Sequence, residues 1–320
     1  MKKVLLLVLA IALVGGSMFA APAKKLITVG YAQVGAESDW RTANTESFKS
    51  TFTEANGYKL IFDDAQQKQE NQIKAIRNFI QQDVDYIVVA PVVETGWDTV
   101  LAEAKKAGIP VILSDRMMTV SDPSLYLAWV GGNFYKEGQD AVAWLNNYLK
   151  ANKMDNKDLN VVILQGTIGS SAQVGRTKGE LEGIAKNPHL KLVGQQTGEF
   201  TQAKGQEVME SFLKANAKID VVFSENDNMS FGAIDAIKAV GKKPGKDIII
   251  ISYDAVKEGF NRMIAGEINA DAECNPLHGP RVDEIIKALQ AGKTVEKVQY
   301  VTEGVFDQSN AAKILPTRKY

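Results

Sequence analysis

Short β-branched runs alternate with stretches of helical period through almost the whole of this chain, and that alternation limits the fold more than any other feature. Eleven runs read as strands. Five come first: Ile27–Gln33, Lys59–Asp63, Tyr86–Ala90, Val111–Ser114 and Tyr126–Val130. Six follow: Asn160–Leu164, Lys191–Gln195, Val221–Ser224, Asp247–Ser252, Ile268–Ala272 and Val298–Val301. The intervening stretches are amphipathic: Ile73, Ile76, Phe79 and Ile80 fall on one helix face. Gly57, Gly108, Gly241 and Gly266 punctuate helix ends, with Pro110 just beyond one of them. Strict alternation of this kind predicts an α/β fold, a mostly parallel sheet with helices on both faces. Eleven strands are too many for one comfortable open sheet, so two sheets of five or six are expected. The pattern also restarts. Asn160–Gln165 with its Gly/Ser turn echoes Ile27–Gln33 with its own turn, which predicts two Rossmann-like lobes.

The first residues say where the chain works. Met1-Lys2-Lys3 is a basic start, and Val4–Val14 is an apolar run too short to span a bilayer. Small residues follow, allowing cleavage after Ala20 or after Ala23. This is a secretory signal peptide in form. No cysteine lies near it, which argues against a lipid anchor. Loss of Lys2 and Lys3 takes the formal charge from −1 to −3, so nothing favours nucleic acid or an anionic membrane surface. Cys274 is the single cysteine, so no internal disulfide can form and the cores must hold the fold. An exported, soluble protein is expected.

The chemistry gathers at strand ends, where open α/β sheets bind ligands. The loop Gly35-Ala36-Glu37-Ser38-Asp39-Trp40-Arg41 carries an aromatic, a cation and two carboxylates. It reads either as a plain helix start capped by Ser38 or Asp39, or as a grip on a polyhydroxylated molecule. Other strand ends repeat the theme. Val111–Ser114 runs into Asp115-Arg116, Val221–Ser224 into Glu225-Asn226-Asp227, and Asp247–Ser252 into Tyr253-Asp254. Phe200 follows the turn Gly198-Glu199, and Arg176 lies one to two turns beyond Gln165–Ser171. That last turn lacks a phosphate-loop pattern and reads as an ordinary helix N-terminus. Forked arginine donors and carboxylate acceptors hold neighbouring hydroxyls in both directions, and aromatic faces cover a sugar ring. Trp97 and Trp129 end no strand and are expected to pack. His189 and His278 lack ligand spacing, and Asp155–Asp158 lacks the glycine and terminal glutamate of a calcium loop, so no metal is expected.

Taken in order, Gly35–Arg41, Gln66–Ala75, Ala90–Trp97, Asp115-Arg116, Gln165–Gly169, Arg176, Gly198–Phe200, Glu207–Ser211, Asn226-Asp227 and Lys243–Ile248 resemble the type I periplasmic sugar-binding proteins of ribose- and galactose-type ABC importers. The resemblance is strongest toward galactofuranose binders and spans essentially the whole mature chain. It implies two lobes joined by a three-stranded hinge with a ligand cleft between them. The lobes would be 24–131 plus 276–303 and 132–275 plus 304–320. It implies that Glu37, Ser38, Trp40, Arg41, Asp115 and Arg116 come from the first lobe and Arg176, Phe200, Asn226 and Asp254 from the second. Glu273 and Asn275 would lie near a hinge crossing, with Glu273 among the ligand-binding residues. It further implies a monosaccharide ligand (galactofuranose or a related hexose or pentose), delivery to a membrane permease, a periplasmic monomer, and no cofactor. Ribose binders tend to carry Gln near 273–275 and a second aromatic where Arg41 stands. Both departures favour a more polar, hexose-sized ligand.

Other functions fit less well. A repressor's effector domain would need a helix-turn-helix where the leader and first strand stand. No G-x-G-x-x-G, H-E-x-x-H or G-x-S-x-G pattern supports an enzyme, although carboxylate pairs leave glycoside hydrolysis open by residue type. A sugar-sensing adaptor for a chemoreceptor or histidine kinase would use the same site.

Overall fold

The structure, a computed structural model, describes residues 25–320; the leader read over residues 1–23 lies outside them. The first half runs β1 (Ile27–Gln33), α1 (Asp39–Thr51), β2 (Tyr58–Asp64), α2 (Gln69–Gln81), β3 (Tyr86–Val89), α3 (Asp98–Lys106), β4 (Val111–Ser114) and β5 (Ala128–Gly131). The second runs α4 (Phe134–Ala151), β6 (Leu159–Gln165), α5 (Ser171–Ala185), β7 (Leu190–Thr197), α6 (Gln202–Ala215), β8 (Val221–Ser224), α7 (Asp227–Ala239), β9 (Ile249–Asp254), α8 (Lys257–Ile264) and β10 (Ala270–Glu273). Then come α9 (Gly279–Gln290), β11 (Val298–Tyr300), β12 (Val305–Asp307) and α10 (Ala311–Ile314).

The strands form two six-stranded sheets, ordered β11-β5-β4-β3-β1-β2 and β12-β10-β9-β8-β6-β7. The two orders are the same pattern, so the internal repeat is a repeat of topology. Each sheet is buried on both faces, and successive side chains alternate between two cores. In β3, Ile87 and Val89 enter the core under α2 and α3, whereas Tyr86 and Val88 enter the core under α1 and α9. In β6, Val162 and Leu164 face α6, α7 and α8, whereas Val161 and Ile163 face α4 and α5. Trp97 and Trp129 are buried in the first of these cores.

The expected fold class holds, with one correction. There are twelve strands among the described residues, not eleven, and β12 pairs antiparallel with β10. Three half-buried residues at a sheet edge carry too little pattern to be read as a strand. The four punctuating glycines all have positive φ, between 75° and 89°, the left-handed conformation that ends helices and turns at no cost to glycine.

The chain passes between the sheets three times: after β5, after β10, and between β11 and β12. The two halves are closed on each other. Asn228 Oδ1 accepts the Asp39 amide at 2.9 Å, Ser171 Oγ accepts the Met117 amide at 2.8 Å, and the Gly169 carbonyl accepts the Glu94 amide at 2.9 Å.

Candidate functional site

In each sheet the strand order reverses beside its first strand, β1 or β6. Crevices open at the carboxyl ends of strands at such reversals. The two crevices face each other across a narrow cavity lined from both halves. Its wall contains Glu37, Ser38, Trp40, Arg41, Asp115 and Arg116 from the first half. Arg176, Phe200, Asn226 and Asp254 join it from the second.

Glu273 is the exception. The family resemblance implied that it is a ligand residue, but its carboxylate turns to the C-terminal tail, accepting from Arg318 at 2.5 Å and from the Tyr320 hydroxyl at 2.7 Å. The next residue, Cys274, lines the cavity instead. Phe134 and Ala172 also line it and were not foreseen. Each opens a helix entered from a strand end, which is the signal that could have found them.

The loop after β1 is a capped helix start whose residues also reach the cavity. Ser38 caps α1, accepting the Arg41 amide at 3.1 Å. The first turn of that helix then delivers Trp40 and Arg41 to the cavity. The Trp40 indole N–H donates to the Cys274 carbonyl at 2.6 Å, fixing the ring across the second crossing. Arg41 is held by three acceptors: Glu37 at 2.9 Å, Asp115 at 2.7 Å and Gln33 at 3.2 Å. Burial works against its charge, but Asp115 and Glu37 outweigh burial and raise its pKa.

Arg116 is bound less fully. One of its terminal nitrogens donates to the Val92 carbonyl at 3.0 Å, while Glu37 and Asp115 lie 3.8 Å away. Its Nε and the Glu37 Oε2 are buried and unpartnered. Burial and the neighbouring Arg41 lower its pKa to about 10. Its guanidinium lies 5.1 Å from the centre of the Phe200 ring.

In the second half, Arg176 bonds Glu137 at 2.7 Å and lies 3.5 Å from Asp254. Burial opposes its charge; Glu137, the nearest carboxylate, more than restores it. Burial pushes the Asp254 carboxyl well up, against the pull of Arg176. Asn226 caps α7 through the Met229 amide and donates to the Phe200 carbonyl at 2.9 Å, holding that loop. Phe200 also depends on Gly166, where a Cβ would sit inside its ring.

Three wall residues that are not glycine have positive φ: Asp115 at 64°, Phe200 at 62° and Asp254 at 106°. Such strain concentrates at ligand sites. It comes from the turn that carries each residue off its strand end and into the cavity. The wall therefore offers three carboxyl groups, three guanidinium groups and aromatic faces with no net formal charge. It can hold a small neutral molecule bearing many hydroxyls. Gln66 and Gln67 line a separate surface cleft together with Thr167 and Ile168.

The model of the periplasmic binding protein domain matches residues 29–278. The galactofuranose-binding protein YtfQ of Escherichia coli K12 is 45% identical over 324 residues, which cover 100% of this chain and 99% of that protein. A crystal structure from Mycobacterium smegmatis in complex with β-D-fucofuranose is similar with a TM-score of 0.88 and 48% identity, covering 92% of this chain and 95% of that one. The periplasmic binding protein component of the arabinose ABC transporter from Shewanella sp. ANA-3, bound to α- and β-L-arabinofuranose, is similar with a TM-score of 0.85 and 46% identity, covering 91% and 95%.

Proposed function

Because the chain belongs to the periplasmic binding protein domain family, we propose that it binds one monosaccharide between its halves and delivers it to the permease of an ABC importer. The observation that carries this reading is the charge-balanced wall with its aromatic faces, contributed by both halves. A neutral polyol satisfies the unpartnered Arg116 Nε and Glu37 Oε2 without adding charge to a buried site. The furanose ligands of the two similar structures support a furanose ring. Import is put ahead of sensing because the arabinose-bound structure is a transporter component.

In this reading residues 24–131 with 276–303 form one lobe and 132–275 with 304–320 the other. The leader is cleaved and the mature protein acts as a periplasmic monomer. The cavity wall is buried in the closed form, so sugar enters an open form. It binds one lobe first, and contacts made only on closure shift the population. Moving from 1:99 to 99:1 takes about 5.5 kcal/mol of differential binding. A few charge-assisted hydrogen bonds of about 1.5–3 kcal/mol each supply that.

The test is calorimetry with D-galactose, D-fucose and L-arabinose, followed by a crystal structure of the tightest complex. Saturable binding of at least one sugar, seen in the cavity as a furanose, is expected. No heat with any of the three would overturn the reading, and a bound pyranose would overturn the ring assignment.

A further inference from the structure

Among the described residues, the three crossings meet at Glu303. It stands on the third crossing, between β11 and β12. Its Oε2 accepts the Asn133 amide of the first crossing at 3.3 Å, and its Oε1 accepts the Asn275 amide of the second at 3.2 Å. Glu137, in the first turn of α4, lies beside it. One carboxylate oxygen of each, with the Cys274 sulfur, lie within 4.8 Å of one another. Glu137 gives Oε2 to Arg176, while its Oε1 is buried with no partner. Both carboxylates crowd Gly132, where a Cβ would lie 2.5 Å from Glu303 Oε1 and 2.6 Å from Glu137 Oε1.

A buried carboxylate oxygen facing only a second carboxylate is costly unless one of the two carries a proton. We propose that Glu303 donates a hydrogen bond to Glu137 Oε1, and is thereby the positioning residue that holds Arg176 toward the cavity and joins the three crossings into one unit. The surroundings favour a proton there. Lys136 on α4 is bound to Asp140 at 2.7 Å, and Glu273 on β10 is bound to Arg318. Arg176 on α5 faces Glu137, and Asp115 beyond β4 adds negative charge to the same side. Burial first, then Glu137, push the Glu303 carboxyl up to about 9 against the pull of Arg176 and of its two backbone donors. The meaning of Arg176 for a ligand rests on the function proposed above. The hydrogen bond does not, so its test is made on the ligand-free protein.

Thermal midpoints of the parent, Glu303→Gln and Glu303→Ala would be measured from pH 5 to 9.5. The folded parent keeps a proton that the unfolded chain releases above about 4.3. Its stability therefore falls as pH rises, until the folded carboxyl also ionises near 9. The glutamine amide donates to Glu137 with no proton to lose. Glu303→Gln should gain on the parent steadily across that window, and Glu303→Ala should melt below the parent at pH 6. Parallel pH profiles for the parent and Glu303→Gln would overturn the proposal, whether or not Glu303→Ala folds. A midpoint raised by zinc and lowered by a chelator in the parent, but not in Glu303→Gln, would overturn it too, making the cluster a cation site. With whichever sugar binds, Glu303→Ala should weaken affinity on the order of tenfold, the scale of one buried hydrogen bond to a charged group, and Glu303→Gln should recover most of it. Should no sugar bind, the melting result still decides the hydrogen bond.

Discussion

At the scale of single residues, the two arginines beside Asp115 have different tasks. Arg41 is tied to Glu37, Asp115 and Gln33 and sets the electrostatic frame. Arg116 makes one short bond to a carbonyl and keeps a buried Nε unpartnered, so it is the one with capacity for a hydroxyl. Arg116→Ala should weaken sugar affinity by about ten- to a hundredfold, the equivalent of one or two hydrogen bonds to a charged group. Glu37 and Asp115 retain Arg41, so circular dichroism should show an intact fold. An unchanged affinity by calorimetry would remove Arg116 from the site. Arg116 stood out in the sequence because it follows a buried strand. Its free Nε did not, because whether a donor is used depends on where distant carbonyls such as that of Val92 fall.

The elements position Arg176 through an unusually close pair of helices. Gly175, Gly179 and Gly183 recur along one face of α5, and Gly138 faces them from α4. A Cβ on Gly179 would strike the Tyr135 carbonyl, and one on Gly138 would strike the Arg176 carbonyl. That approach lets Glu137 on α4 reach Arg176 on α5 at 2.7 Å. Gly179→Ala should force the helices apart and cost about 1–3 kcal/mol in stability. It should also weaken sugar binding, since the Glu137–Arg176 pair stretches. Denaturant melts and calorimetry check both parts, and a variant as stable as the parent would show that the helices have room to spare. The glycine spacing is visible in the sequence, but its partner helix is not. A run of small residues reads equally well as a weak helix until α4 is packed against it.

On the scale of the whole molecule, the contacts at Asp39–Asn228, Met117–Ser171 and Glu94–Gly169 exist only when the halves are closed. The described conformation is thus the one expected with ligand. Small-angle scattering should give a larger radius of gyration without sugar than with it, because the free halves separate about the three crossings. Equal radii in both states would mean that binding needs no closure.

Much of this protein was legible in its sequence for a local reason. Strand polarity and hydrophobic period are set by neighbours within a few residues. In a parallel α/β sheet all strand ends point the same way, so Trp40 and Asp115 had to gather on one sheet and Phe200, Asn226 and Asp254 on the other once the strands were placed. Tertiary structure alone decided which polar groups satisfy each other. It sent Glu273 to Arg318 and Tyr320 rather than to the cavity, added β12 as an antiparallel edge, and brought Glu137 of the first crossing and Glu303 of the third together. These pairings join segments that no local pattern connects. They are fixed by burial, which leaves each polar group only the partners that the fold brings within reach.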